Sequence, residues 1–346
     1  MSLLQLPLEL LSFVIRYLGL EFFRQDIRRL TVFKQWYACA WQLLAKDLHL
    51  TPGAITRLAG EEIATLVRIQ PYVKTAALVF EGRSPSGENV ENAALNGDAS
   101  STLEWSARLN TALTTVAAQL KQCPKLRHLR VKAEPECNDL SLLRISMGQG
   151  YLMPKPVDDF LSLRHLTSLE FDIAGSFPQG PTDNGSVHFC ASINLLLPSL
   201  RRLHCRMNAV CETLLERPKN DSPLQLEEII VNLSLSELSS TSTSCRFPKR
   251  CQPVPGESFT QLRQSIERQA STLALGLDSP RIVRVITHRI PSLSIEAFDA
   301  ITGQRLGLEN NMQWDADGEV VGSHVRPHNT DLFQSDDDDT SSSETE

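Results

Sequence analysis

One short pattern recurs through this 346-residue chain and limits what it can fold into. The pattern is L-x-x-L-x-Φ, with Φ apolar or Cys. It reads LRHLRV at 126–131, LTSLEF at 166–171, LRRLHC at 200–205 and LEEIIV at 226–231, with looser copies TAALVF at 75–80 and IVRVIT at 282–287. Short apolar runs of this kind, bounded by turn residues, read as buried strands. Helix-like runs precede several of them, at 113–123, 189–197 and 259–270. Each strand-plus-helix unit exposes an apolar face that only its neighbour can bury, which is the logic of a stacked repeat. The fourth residues of the copies fall at 78, 129, 169, 203, 229 and 285, so the gaps are 51, 40, 34, 26 and 56 residues. A leucine-rich repeat has a period of about 20–29 residues, and the longer gaps are therefore read as insertions. Those at 81–101, 146–159 and 234–258 are rich in Ser, Gly, Pro or Asn, as loops are. A generic α/β domain without stacking is the alternative.

The N-terminal stretch LQLPLELLSFVIRYLGLEFF (4–23) is unusually apolar. It lacks a basic flank, and Glu9 and Arg16 interrupt it, so neither a signal peptide nor a spanning helix is expected. Pro7 suits a first helical turn. Leu8, Leu11, Ile15 and Leu18 form one face of the helix, with Leu10, Phe13, Val14 and Tyr17 on an adjacent face. Gly19 ends it. A second helix is predicted over Ile27–Phe33 and a third over Lys34–Lys46, and the two cover only part of the first. Thr51–Glu62, with Pro52 and Gly53, reads as a linker. Near the C-terminus, MQWDADGEVVG (312–322) alternates around Asp-Gly, a hairpin signal, with Trp314 placed to dock on the last repeat.

The formal net charge of -7 is matched by the seven acidic residues that follow Pro327, so the body is close to neutral and offers no electrostatic footprint for nucleic acid. The eight cysteines contain no CxxC, and the Cys205/Cys211 and Cys245/Cys251 pairs have no His at a completing distance, so no metal site is expected. G-x-S-x-G, P-loop and H-E-x-x-H motifs are missing, and neither catalytic residues nor a cofactor is expected. The tail 323–346 reads as disordered. In it Ser335 and Ser343 precede acidic runs, a context for acid-directed phosphorylation; an unmodified solubilising tail is the other reading.

Residues 6–50, LPLELLSFVIRYLGLEFF…DIRRLTVFKQWYACAWQLL, resemble the F-box, the helical module through which substrate receptors join SCF-type ubiquitin ligases. The resemblance rests on Leu6-Pro7-x-Glu9-Leu10-Leu11, the apolar spacing to Ile15 and Leu18, then Leu30 and VFKQWY. Phe33 stands where the family commonly has Cys, and extra residues lie between Leu18 and Leu30. An F-box followed by irregular leucine-rich repeats is similar to fungal-type F-box proteins. The resemblance implies a non-catalytic receptor whose Leu6, Pro7, Leu10, Leu11, Ile15, Leu18, Leu30, Phe33 and Trp36 dock on a Skp-family adaptor, which links it to a cullin/RING ligase. A protein substrate would then meet the residues between the strand anchors, among them Arg127, Arg130, Glu170, Arg201, His204 and Glu227. The expected fold class is α + α/β: a three-helix F-box (1–50), a linker (51–62), an irregular leucine-rich-repeat-like α/β solenoid (63–322) and the acidic tail. The expected location is cytoplasmic and/or nuclear. A repeat scaffold whose N-terminal helices only cap the solenoid is the competing reading.

Overall fold

The computed structural model describes residues 6–25, 29, 32–60, 62–80, 98–134, 151–176, 188–218, 223–235, 247–252, 254–289, 294–309 and 312–321. All six copies of the recurring pattern overlap strands of one ten-stranded sheet, four of them starting two residues ahead of the strand. Its parallel part runs in chain order through β1 (Asp47–Leu50), β2 (Thr75–Phe80), β3 (His128–Ala133), β4 (Ser168–Asp172), β5 (Arg202–Arg206), β7 (Glu228–Asn232) and β9 (Ile282–Arg289). An antiparallel meander of β10 (Ser294–Asp299), β11 (Arg305–Leu308) and β12 (Glu319–Val320) completes it. A separate two-stranded pair joins β6 (Ala209–Val210) to β8 (Lys249–Arg250).

Side chains alternate across a strand, and here one alternate row is apolar. Ala76, Leu129, Leu169, Leu203, Ile229 and Val283 lie side by side in register, and all are buried. The two loose copies of the pattern are displaced by two residues: Leu78 pairs with Val131, and Val285 with Val231. An even slip keeps the same face inward, which is why a poor match still builds the same core. Ahead of the strands the backbone repeats one device. The carbonyls of Lys74, Arg127, Thr167, Arg201 and Glu227 each accept two N–H groups from the segment that opens the next strand, at 2.7–3.1 Å. Units of unequal length are thereby joined in the same way.

Eight helices stand among the described residues: α1 (Leu8–Gln25), α2 (Lys34–Lys46), α3 (Pro52–Ala59), α4 (Ile63–Ile69), α5 (Asp98–Leu120), α6 (Pro154–Leu161), α7 (Phe189–Asn194) and α8 (Phe259–Leu275). Helix α3 packs on α5, α5 on α6 and α6 on α7, and a 3-10 turn at Glu212–Leu215 then bridges α7 to α8. With the inward row of the sheet they make one continuous core. Helix α8 opens with a reciprocal cap: Ser258 N donates to the Gln261 side chain at 2.8 Å, and Gln261 N donates to Ser258 Oγ at 3.4 Å.

Several expectations are corrected. Residues 51–62 are not a free linker, because Pro52 sits in the first turn of α3, capped by Thr51 Oγ1, and Ile55 and Leu58 enter the core. The loop expected at 146–159 likewise holds the start of α6, opened by Pro154. In both, a proline that reads as a breaker is a helix starter, since a first-turn N–H has no partner to lose. Strand β1 lies inside the segment assigned to the F-box and pairs with β2. Strands β10 and β11 have no counterpart in the sequence reading. The Asp-Gly hairpin does not form from 312–322 alone, because β12 pairs with β11 instead. Gly318 is required there: a Cβ would stand 2.5 Å from the Gly307 carbonyl oxygen. The second predicted helix, 27–33, lies largely outside the described residues, and Phe33 itself is extended at the start of α2. Leu30, Ser335, Ser343 and the tail 323–346 lie outside them too.

Candidate functional site

The N-terminal helices carry two apolar faces with different fates. Leu11 and Ile15 of α1 meet Trp36 and Ala40 of α2 in a small core separate from the main one. Trp36 Nε1 donates to the Arg29 carbonyl at 2.7 Å, which fixes the indole. The other face stays open: Leu10 is 52% exposed, Phe13 71% and Tyr17 93%, with the half-buried Leu6 a turn before them. Leu10, Phe13 and Tyr17 are spaced i, i+3 and i+7, one stripe of α1, and Leu6 precedes the helix. Gly19, at φ 76°, breaks α1 beyond the stripe. So Leu11, Ile15 and Trp36, expected to dock on a partner, hold the pair together, because a two-helix unit must bury one face to exist. Leu6, Pro7, Leu10, Leu18 and Phe33 are exposed or half-buried, and Phe13 and Tyr17 join them. Helix α2 also reaches the main core through Ala45 and Trp41 and runs straight into β1.

The sheet face opposite the helices is polar and largely self-paired over β3–β5, whereas on β7 and β9–β11 it carries a small apolar core of Ile230, Ile282, Ile286, Ala297, Leu306 and Leu308. Arg130 and Glu170 are cross-strand neighbours with Nε to Oε1 at 3.0 Å, and Arg201 faces Glu227 at 3.5 Å. Arg206 makes a two-pronged contact with buried Asp172 at 2.8 and 2.6 Å. Arg127 lies in a turn before β3 and bonds the Pro124 and Leu126 carbonyls. His204 is not presented at all: it is buried, hydrogen-bonded to Glu228, with Trp314 packed 6.1 Å away. Glu228, also buried, further holds Arg202 at 2.9 Å and Arg281. The segment 314–317 lies across this part of the face. Arg206 stacks on Trp314, Arg284 donates to the Ala316 carbonyl at 2.7 Å, and Arg202 lies 3.6 Å from Asp315. The open charged surface thus includes Arg130 and Glu170 on β3 and β4 and the exposed Arg201 and Glu227 just ahead of β5 and β7.

Burial holds His165, His204 and His288 below the usual 6.5, with Arg127 adding to the effect at His165 and Arg202 at His204, where Glu228 opposes it. All three are neutral in the folded chain, while the unfolded chain takes up their protons as pH falls past about 6.5. Below that point the unfolded state binds more protons, so this stability is present above pH 6.5 and is lost on going down toward the folded values. The urea midpoint is expected to fall between about pH 7.5 and about pH 5.5, before most carboxylates titrate. His288→Gln should reduce the slope. A flat midpoint across that window would count against neutral buried histidines.

One cluster escaped sequence reasoning. His188, Cys190, Cys211 and Cys251 come together, with their Nε2 or Nδ1 and Sγ atoms all within 4.8 Å of one another. Spacing within each cysteine pair gave no hint of it, because the ligands come from three separate segments. The only local signal was His-x-Cys at 188–190. The sequence reading expected no metal site, and these four side chains form a set of metal-ligand type that it did not foresee. No helix among the described residues is long and apolar enough to cross a membrane. No family model, curated protein or solved structure matches the chain.

Proposed function

We propose that the chain is a non-catalytic substrate receptor of an SCF-type ubiquitin ligase, docking on a Skp-family adaptor through α1 and holding a protein substrate on its repeat-like sheet. The open stripe of Leu10, Phe13 and Tyr17, with the half-buried Leu6 just ahead of the helix, carries the proposal. A contiguous apolar stripe left uncovered beside a completed core marks an interaction surface. Burying each such side chain contributes about 1.5–3 kcal/mol before the cost of association. The leucine-rich-repeat-like reading of the body is supported by strands neighbouring one another in chain order, by the helices packed in sequence and by the recurring double hydrogen bond ahead of β3, β4, β5, β7 and β9. Such a receptor needs no bond-making residue, since proximity supplies the effect. It would work in the cytoplasm or nucleus, where the ligase operates, and phosphate on Ser335 or Ser343 would add about -1.5 to -2 charge each to the tail.

Co-purification with the adaptor tests the reading. Leu10→Asp with Phe13→Asp is expected to abolish capture while leaving the unfolding midpoint unchanged, because both side chains already face water. Equal capture by wild type and variant overturns it, as does no capture by either. Leu11→Asp is unsuitable, since it destroys the two-helix core. One observation favours the second reading, a scaffold capped by its N-terminal helices: α2 is rooted in the main core through Ala45 and continues directly into β1.

A further inference from the structure

The His188, Cys190, Cys211 and Cys251 cluster is built around the short β6–β8 pair. Cys211 follows β6 directly and Cys251 follows β8 directly, and these two strands pair in register, Ala209 with Lys249 and Val210 with Arg250. A two-stranded sheet two residues long cannot stand by itself in water. His188 and Cys190 flank the start of α7 and approach the same point from a third segment. The three cysteines are buried and the histidine is half-buried.

The distances suit a tetrahedral ion. Zinc bound to thiolate at about 2.3 Å and imidazole at about 2.0–2.1 Å gives ligand-to-ligand edges of about 3.6–3.8 Å. Cys190 Sγ and Cys251 Sγ are 3.6 Å apart, which is such an edge and far too long for a disulfide. His188 Nε2 is 2.8 Å from Cys211 Sγ, so this edge opens by under about an ångström when an ion enters. The Cys211 backbone N–H already points at Cys190 Sγ, 3.4 Å away, the kind of donor that steadies a ligating thiolate. Beside the cluster Arg250 forks onto Glu257 at 2.6 Å and reaches Glu212, locking β8 to the turn that carries Cys211. Cys123 and Cys205 are pushed by burial up to about 11 and about 12, and remain inert.

We propose that His188, Cys190, Cys211 and Cys251 form a structural Cys3His zinc site that pins the β6–β8 pair and the segment ending at Cys251 to the start of α7. Three thiolates and one imidazole select zinc by softness and geometry, and four protein ligands leave no open position for catalysis.

Full-length protein, reconstituted with zinc under reducing conditions and desalted, is expected to hold one zinc per chain. Cys211→Ser and Cys251→Ser should lower its zinc affinity at least about tenfold, while Cys39→Ser should leave it unchanged. Because a ligand variant can misfold, the wild type carries a second readout. With zinc bound, Cys190, Cys211 and Cys251 resist alkylation while Cys39 reacts, and a strong chelator exposes all three. Cobalt in place of zinc should give the intense visible bands of tetrahedral thiolate coordination. Substoichiometric zinc in the reconstituted wild type overturns the proposal. So do alkylation insensitive to the chelator and a weak octahedral cobalt spectrum.

Discussion

A chain lacking residues 1–62 is expected to aggregate or melt without cooperativity, while a chain lacking only residues 1–33 keeps a cooperative transition. The shorter deletion removes α1 and opens the small core around Trp36, but α2 stays attached through Ala45 and Trp41. The longer deletion takes β1, which pairs with β2 along its whole length, and α3, which packs on α5. It also removes Leu50, Ile55 and Leu58 from the main core. At about 1.5–3 kcal/mol for each buried side chain, that loss is about 5–9 kcal/mol. The whole stability of an ordinary domain is about 5–15 kcal/mol. Beyond this, the cut uncovers the facing surfaces of β2 and α5. Circular dichroism melting and size-exclusion chromatography separate the outcomes. If the 1–62 deletion melts as sharply as the full chain, β1 and α3 do not belong to the body. If the 1–33 deletion collapses as well, the N-terminal helices act as a cap, and the receptor reading loses its independent docking unit.

That boundary shows where sequence reasoning reached and where it stopped. The strands were legible because a row such as Leu129, Leu169, Leu203 and Ile229 must be apolar whatever lies in the insertions. The helices opened by Pro52 and Pro154 were not, because the same residue terminates a helix interior and starts a first turn. In α1 both faces are apolar, so periodicity alone could not say which one meets α2. The answer depends on Trp36 and Ala40, one helix away. His204 reads as a surface residue on an alternating strand, yet Trp314, more than a hundred residues later, closes over it. The zinc-type cluster was hidden for the same reason. Its ligands are gathered by the β6–β8 register, a long-range pairing that leaves no local spacing to detect.

Phe171→Ala is expected to destabilise the chain by about 3–5 kcal/mol, more than the loss of an exposed ion pair on the polar face of the sheet such as Arg130–Glu170. Phe171 is fully buried on β4, in the middle of the parallel strands, and meets Phe189 edge to face with ring centroids 5.7 Å apart. Its neighbours are fixed by strand pairing on both sides, Val131 on β3 and Cys205 on β5, so the space cannot collapse cheaply. The charged network on the opposite face makes the contrast. Glu170→Ala unpairs Arg130, but that side chain is 49% exposed and re-solvates. Exposed pairs of that kind contribute about 0–1 kcal/mol. Core volume therefore outweighs the ion pairs. In thermal melts Phe171→Ala should lower Tm by roughly 6–15 °C, and Phe171→Leu, which refills most of the volume, by less than half as much. A loss of only a degree or two in Phe171→Ala would mean that β4 and α7 can close the gap, and that the sheet is looser at its centre than its register implies. Phe189 sits between His188 and Cys190, so the same cavity also tests how firmly the ligand segment of α7 is seated: zinc should leave Phe171→Ala faster than wild type when a chelator is added.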